Sequence, residues 1–166
     1  VLLIGVLCGC ATSTPTPPKP HAAAPKVFVS ATLDPGYTLT PQSRISVFID
    51  EKASIEDRRL GALLLSQLRT NSFNVVSAEA DFVIVCSMEH PTVTSGGETF
   101  AFQRLWVVAY SRADLQAGKT KTVWEGCVSV GPYDRQFDRD PVSAIRTLLQ
   151  YFGKDFKGDT PLIEQK

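Results

Sequence analysis

Beyond residue 25 the apolar positions of this chain fall into two periods. Ile45, Val47 and Ile49 alternate with polar residues over 44–49, the signature of a strand, and this segment is expected to lie centrally in a sheet. Residues 26–32 alternate more weakly and are stopped by Asp34-Pro35-Gly36-Tyr37, a turn sequence, which suits an edge strand. Helical spacing then takes over. Ser54 with an acid at Asp57 is an N-cap signal, and Leu60, Leu63, Leu64 and Leu68 share one face. These predict a helix over 55–70, ended by Asn71-Ser72. Residues 73–76 and 81–89 read as two further strands. The second is apolar on both faces through Phe82, Val83, Ile84 and Val85 and belongs mid-sheet.

The pattern continues with a loop over 90–98 that contains Pro91 and Gly96-Gly97 and is expected to be mobile. A long strand follows over 99–112, then a hairpin loop at 116–119 and a returning strand over 123–130. Asp140-Pro141 is an N-cap followed by proline at the first helical position. Val142, Ile145, Leu148, Leu149 and Phe152 then mark a second helix. The predicted order is β-β-α-β-β-β-β-α, an α+β (α/β) fold with a mixed, largely antiparallel sheet of five to six strands. Two helices cannot cover both faces of such a sheet, so both are expected on one face, leaving the other partly exposed. That face is a candidate docking surface, set against the ordinary solvated face of an antiparallel sheet.

The N-terminus departs from both periods. Residues 1–11 are almost wholly apolar and close on Leu7-Cys8-Gly9-Cys10-Ala11. A membrane-spanning helix needs about 20 apolar residues, and only about ten stand here before threonines and prolines begin. The run resembles a bacterial lipoprotein signal peptide with its lipobox, truncated at its start, with a basic segment expected upstream. The resemblance implies cleavage after residue 9, diacylglycerol on the Cys10 thiol and a further acyl chain such as palmitate on its freed amine. Two or three chains exceed the reversible, single-chain regime of membrane binding. The absence of Asp after Cys10 favours the periplasmic face of the cell outer membrane. Residues 10–25, rich in Thr, Pro and Ala, are expected to form an extended tether from the lipidated cysteine, with His21 solvated in it. The remainder, 26–166, suits one α/β domain.

Composition narrows the functions open to that domain. The chain's 17 basic residues balance its 17 acidic ones, and no basic stripe accompanies the aromatic residues, so no pull toward nucleic acid is expected. Catalysis finds little support. His90 is the one histidine of the domain and no Gly-x-Ser-x-Gly elbow accompanies it. Glu89, Glu98, Asp114, Glu125 and Asp134 contain no pair set apart for glycosidic chemistry. Gly96-Gly97 has no following helix to make a phosphate loop. No enzyme activity and no cofactor are expected.

The sharpest chemical grouping is Cys86-x-Met88-x-His90. On a strand these share a face and offer soft ligands suited to copper(I). The simpler reading is a core face, Phe82, Ile84, Cys86 and Met88, that runs out at His90. Alternation also puts Cys86 on the opposite face from Cys127, which argues against a disulfide in spite of the oxidising compartment. Trp106, Trp124 and Tyr110 are expected to form an aromatic cluster packed in the core. Trp106, Trp124, Tyr133 and Arg135 are the candidates for partner binding should they prove exposed.

The blocks Ser43-Arg44-Ile45-Ser46-Val47, Asn71-Ser72-Phe73-Asn74-Val75-Val76 and Ala80-Asp81-Phe82-Val83-Ile84-Val85, with the stretch from Asp114 to Gly126, resemble the LpoB/CsgG-like periplasmic lipoprotein domains. These positions form the fold and transfer no active-site residue. The resemblance implies scaffolding or partner binding rather than catalysis. The expectation from sequence is therefore a lipid-anchored envelope module that binds another envelope protein. A small-ligand or copper-binding lipoprotein is the alternative, and an envelope hydrolase comes third.

Overall fold

The computed structural model describes residues 25–132 and 136–163. The leader, Cys10, the tether as far as residue 24, Tyr133 and Arg135 lie outside the described residues. Within them the elements run β1 (Lys26–Leu33), β2 (Ile45–Val47), α1 (Ile55–Thr70), β3 (Phe82–Glu89), β4 (Thr92–Ser95), β5 (Glu98–Ala101), β6 (Gln103–Ser111), α2 (Arg112–Gln116), β7 (Thr122–Val130), α3 (Gln136–Arg139), α4 (Pro141–Leu149) and β8 (Phe156–Pro161). The fold is α+β. Six strands form one sheet in the order β2-β3-β6-β7-β1-β8, with β2 parallel to β3 and all other pairs antiparallel, and β4 and β5 pair separately.

Local chemistry accounts for the two long helices. The Ser54 hydroxyl accepts from the Asp57 amide at 3.0 Å and donates to the Asp57 carboxylate at 2.7 Å, closing the first turn of α1. Asp140 does the same for α4, accepting from the Ser143 amide at 3.1 Å with Pro141 inside the first turn. The two helices lie against each other, with Arg146 donating to the Gln67 side chain at 2.8 Å. They bury one face of the sheet through Leu64, Leu68, Ile145 and Leu148, against Ile84, Leu105, Val107, Trp124 and Val128.

Several expectations are corrected. Residues 26–32 are not an edge, because β8 pairs with the outer side of β1. This last strand escapes sequence reading: Gly158, Asp159 and Pro161 are poor strand formers, tolerated because β8 is itself an edge. Residues 44–49 are not central. They give a three-residue edge strand, joined to its parallel neighbour β3 through α1 as parallel pairing requires. The strand expected at 73–76 reduces to one bridge, between Val75 and Ile45. The loop at 90–98 is largely a hairpin, in which Gly96 (φ 62°) and Gly97 (φ 85°) supply the two left-handed residues of a tight turn. The strand over 99–112 is broken at Phe102, and the β6–β7 connection begins with the single turn of α2.

Candidate functional site

Two surfaces carry the residues singled out in the sequence. The first is a cleft of about 170 Å³ where the end of β3, the start of α1 and α3 meet. Strand alternation brings Met88 and His90 to its lining. Ser54, Glu56, Asp57 and Arg59 come from the first turns of α1, and Phe137, Asp138 and Pro141 complete the wall. Phe137 is fully buried and anchors α3. His90 is half-exposed, with Nε2 3.4 Å from the Asp138 carboxylate and 3.3 Å from the Gln103 amide nitrogen. The Gln103 carbonyl oxygen accepts from the Phe137 amide at 3.1 Å.

Cys86 does not join Met88 and His90 there. It opens onto a neighbouring depression with Phe48, Ile49 and Val85, and burial, helped by the Asp57 charge, pushes its thiol up to about 12. Such a thiol is a poor source of the thiolate that a metal ligand requires. Among the described residues, no group of three or more His, Cys, Asp or Glu side chains is arranged to hold a metal ion. Cys86 and Cys127 are both buried, free thiols on opposite faces, as alternation predicts. Burial is also the main cause that raises Cys127, to about 11.

The second surface is the sheet face away from α1 and α4. Register places Val83, Val85 and Ser87 of β3 beside Tyr110, Val108 and Trp106 of β6, and these six side chains are half-buried. The indole N–H of Trp106 donates to the Glu89 carboxylate at 2.9 Å, which holds the ring in place. Phe28, 40% exposed, lies on the same face of β1. Phe48, 57% exposed, extends the apolar area past the end of β2. Trp124 is not part of this surface. It is 0% exposed, packs on Phe152 in the core at 5.2 Å between ring centroids, and donates to the Lys154 carbonyl. The expected cluster of Trp106, Trp124 and Tyr110 is therefore split. Trp106 pairs with Cys127 while Trp124 pairs with Ala109, and residues an odd number of positions apart point to opposite faces.

Sequence reasoning missed Gln103 and Asp138. Gln103 left a trace: it begins the inward series Gln103, Leu105, Val107, Ala109, and a polar residue on an apolar face requires a partner. Asp138 left none, since its distance from His90 is set by tertiary packing. A further polar group lies near the start of β7 and α2, away from the cleft. There Lys121 bonds Asp34 at 2.9 Å and lies over the Tyr37 ring, whose hydroxyl donates to Asp114. The Asp114 carboxylate raises the Tyr37 phenol, and Lys121 holds Asp34 below its ordinary value.

No family model matches the chain, and no curated protein does. Solved structures resemble it in fold. A PDZ domain protein from Parabacteroides distasonis superposes with a TM-score of 0.55 at 11% identity, over 84% of this chain and 39% of its own. A PelC dodecamer from Paraburkholderia phytofirmans gives 0.48 at 12% identity, over 77% and 99%, and a second PelC structure, of a variant, gives 0.44 at 14%, over 74% and 91%. At these identities the likeness concerns the fold alone.

Proposed function

We propose that this chain is a lipid-anchored envelope protein whose domain binds another envelope protein through the uncovered face of its sheet. The observation that carries the reading is the set of half-buried apolar side chains, Val83, Val85, Trp106, Val108 and Tyr110, left on that face with Phe28 and Phe48 at its margins. Trp106 and Tyr110 are of the residue types that dominate binding hot spots, and the Trp106 ring is already held in place by Glu89.

The anchor and the surface are tested separately. Intact mass and globomycin-sensitive fractionation should give an acylated outer-membrane protein that Cys10→Ala converts to a soluble, unacylated one. A photo-crosslinking residue placed at Val108 or Tyr110 in cells should capture a discrete envelope protein, whereas one at Arg58 or Arg69 on α1 should not. Equal capture from both positions, or none from the sheet, would remove the docking assignment while leaving the anchor result intact.

The cleft favours a second reading, a small-ligand-binding lipoprotein, because it gathers Met88, Leu60 and Phe137 beside His90 and three carboxylates. Under this reading His90→Ala abolishes ligand uptake, and crosslinking from Val108 captures nothing.

A further inference from the structure

His90 Nε2 faces two partners that make opposite demands on it. The Gln103 amide nitrogen, 3.3 Å away, can only donate, and its assignment as nitrogen is fixed because the other end of the same amide, Oε1, accepts from the Phe137 N–H at 3.1 Å. The Asp138 carboxylate, 3.4 Å away, accepts. An Nε2 carrying a lone pair serves Gln103, and an Nε2 carrying a proton serves Asp138. It cannot serve both.

We propose that His90 is a proton-controlled switch on α3, in which protonation transfers Nε2 from Gln103 to Asp138 and loosens the hold of Gln103 on Phe137. In the neutral ring the tautomer with hydrogen on Nδ1 is selected, because Gln103 is only 3% exposed and its N–H₂ group needs an acceptor. In the imidazolium both nitrogens carry hydrogen. Nε2–H then turns to the Asp138 carboxylate with the help of charge, and the Gln103 N–H meets another N–H. The amide escapes that opposition only by turning, and because one planar group carries both bonds, turning also removes the acceptor of the Phe137 N–H.

The consequence is concentrated on a weak element. α3 is a single four-residue turn, fastened by the buried Phe137 ring and by the Gln103 bond. It forms one wall of the cleft, and α1 forms the other. The charged groups that line the cleft with His90 are Asp138 from α3 and Glu56, Asp57 and Arg59 from α1, while β6 contributes the neutral Gln103. At 53% side-chain exposure the imidazole is open to solvent protons, and histidine is the side chain that proteins use as a proton switch. Acidification therefore loosens the α3 wall without any ligand present.

The test is amide hydrogen exchange at Phe137 in the full chain, measured by NMR between pH 7.5 and pH 5 and corrected for the intrinsic rate. The protection of this amide is expected to fall by about three- to tenfold toward the acid end, and His90→Asn should make the profile flat. Gln103→Glu should reverse its sign, since a carboxylate there accepts from the imidazolium and from Phe137 together. A flat wild-type profile overturns the switch, as does a slope that survives in His90→Asn. The His90 variant changes a half-exposed side chain and keeps the test decisive even where Gln103→Glu fails to fold.

Discussion

Gly126 lacks a side chain because the Trp124 indole occupies the space that one would fill. A Cβ built there would stand 2.4 Å from the indole Cη2 and 2.8 Å from Leu148 Cδ1. Gly126→Ala should cost roughly 1–3 kcal/mol in urea denaturation, and less in a Trp124→Leu background, because the two residues compete for one volume. Gly153 is constrained twice over: its φ is 69°, and a Cβ would fall 1.8 Å from the Leu39 carbonyl oxygen. The thiols give a second prediction at this scale. With Cys86 and Cys127 raised by burial to about 12 and about 11, neither should be labelled by a disulfide reagent at pH 8 in the native protein, and both should react fully in urea. Peptide mass mapping reads each site, and rapid native labelling of Cys127 would contradict its buried placement. The opposite faces of the two cysteines are legible in the sequence, because they follow from strand alternation. The raised thiols are not, because they depend on what packs above the strand.

Among the elements, α1 was the most legible, since Ser54, the leucine stripe and the Asn71-Ser72 stop are all local signals. Ser54→Ala should lower stability by about 1 kcal/mol, measured as a shift in the urea midpoint. The links between elements are electrostatic as well as apolar. Arg44, next to β2, forms a two-pronged pair with Asp81 beside β3, at 2.8 and 3.1 Å, and Lys121 next to β7 pairs with Asp34 after β1. The basic partner holds each carboxyl below its ordinary value, by hydrogen bonding first. Each therefore contributes stability that is present above the ordinary carboxylate range and is lost as pH falls through the lowered native value. The wild type should weaken as pH falls below about 4, and an Asp34→Asn/Asp81→Asn variant should show a flatter acid limb in pH-dependent denaturation. β8 was illegible for the converse reason: its inward residues, Phe156, Gly158 and Thr160, make a strand only once β1 is there to pair with them.

For the whole molecule, the decisive feature is that α1 and α4 share one face of a six-stranded sheet. The two tryptophans then separate stability from recognition. Trp124→Ala should cost about 3–5 kcal/mol. Trp106→Ala should cost no more than about 1 kcal/mol while abolishing the crosslink from Val108, and a matched loss of both properties would place Trp106 in the core instead. The sequence by itself determined the α+β class, the two long helices with their caps, the core face of β3, the opposite faces of Cys86 and Cys127, and the coverage of one face. Caps, the helical period and strand alternation act over a few residues, so they can be read without knowing the partners. Tertiary structure alone decided which strand is an edge, that β8 exists, that Trp106 and Trp124 part company, and that Gln103 and Asp138 converge on His90 from 13 and 48 positions away. Pairing and packing are contacts between distant segments, and their register is fixed by the best joint burial of all the strands and helices, which no single segment encodes.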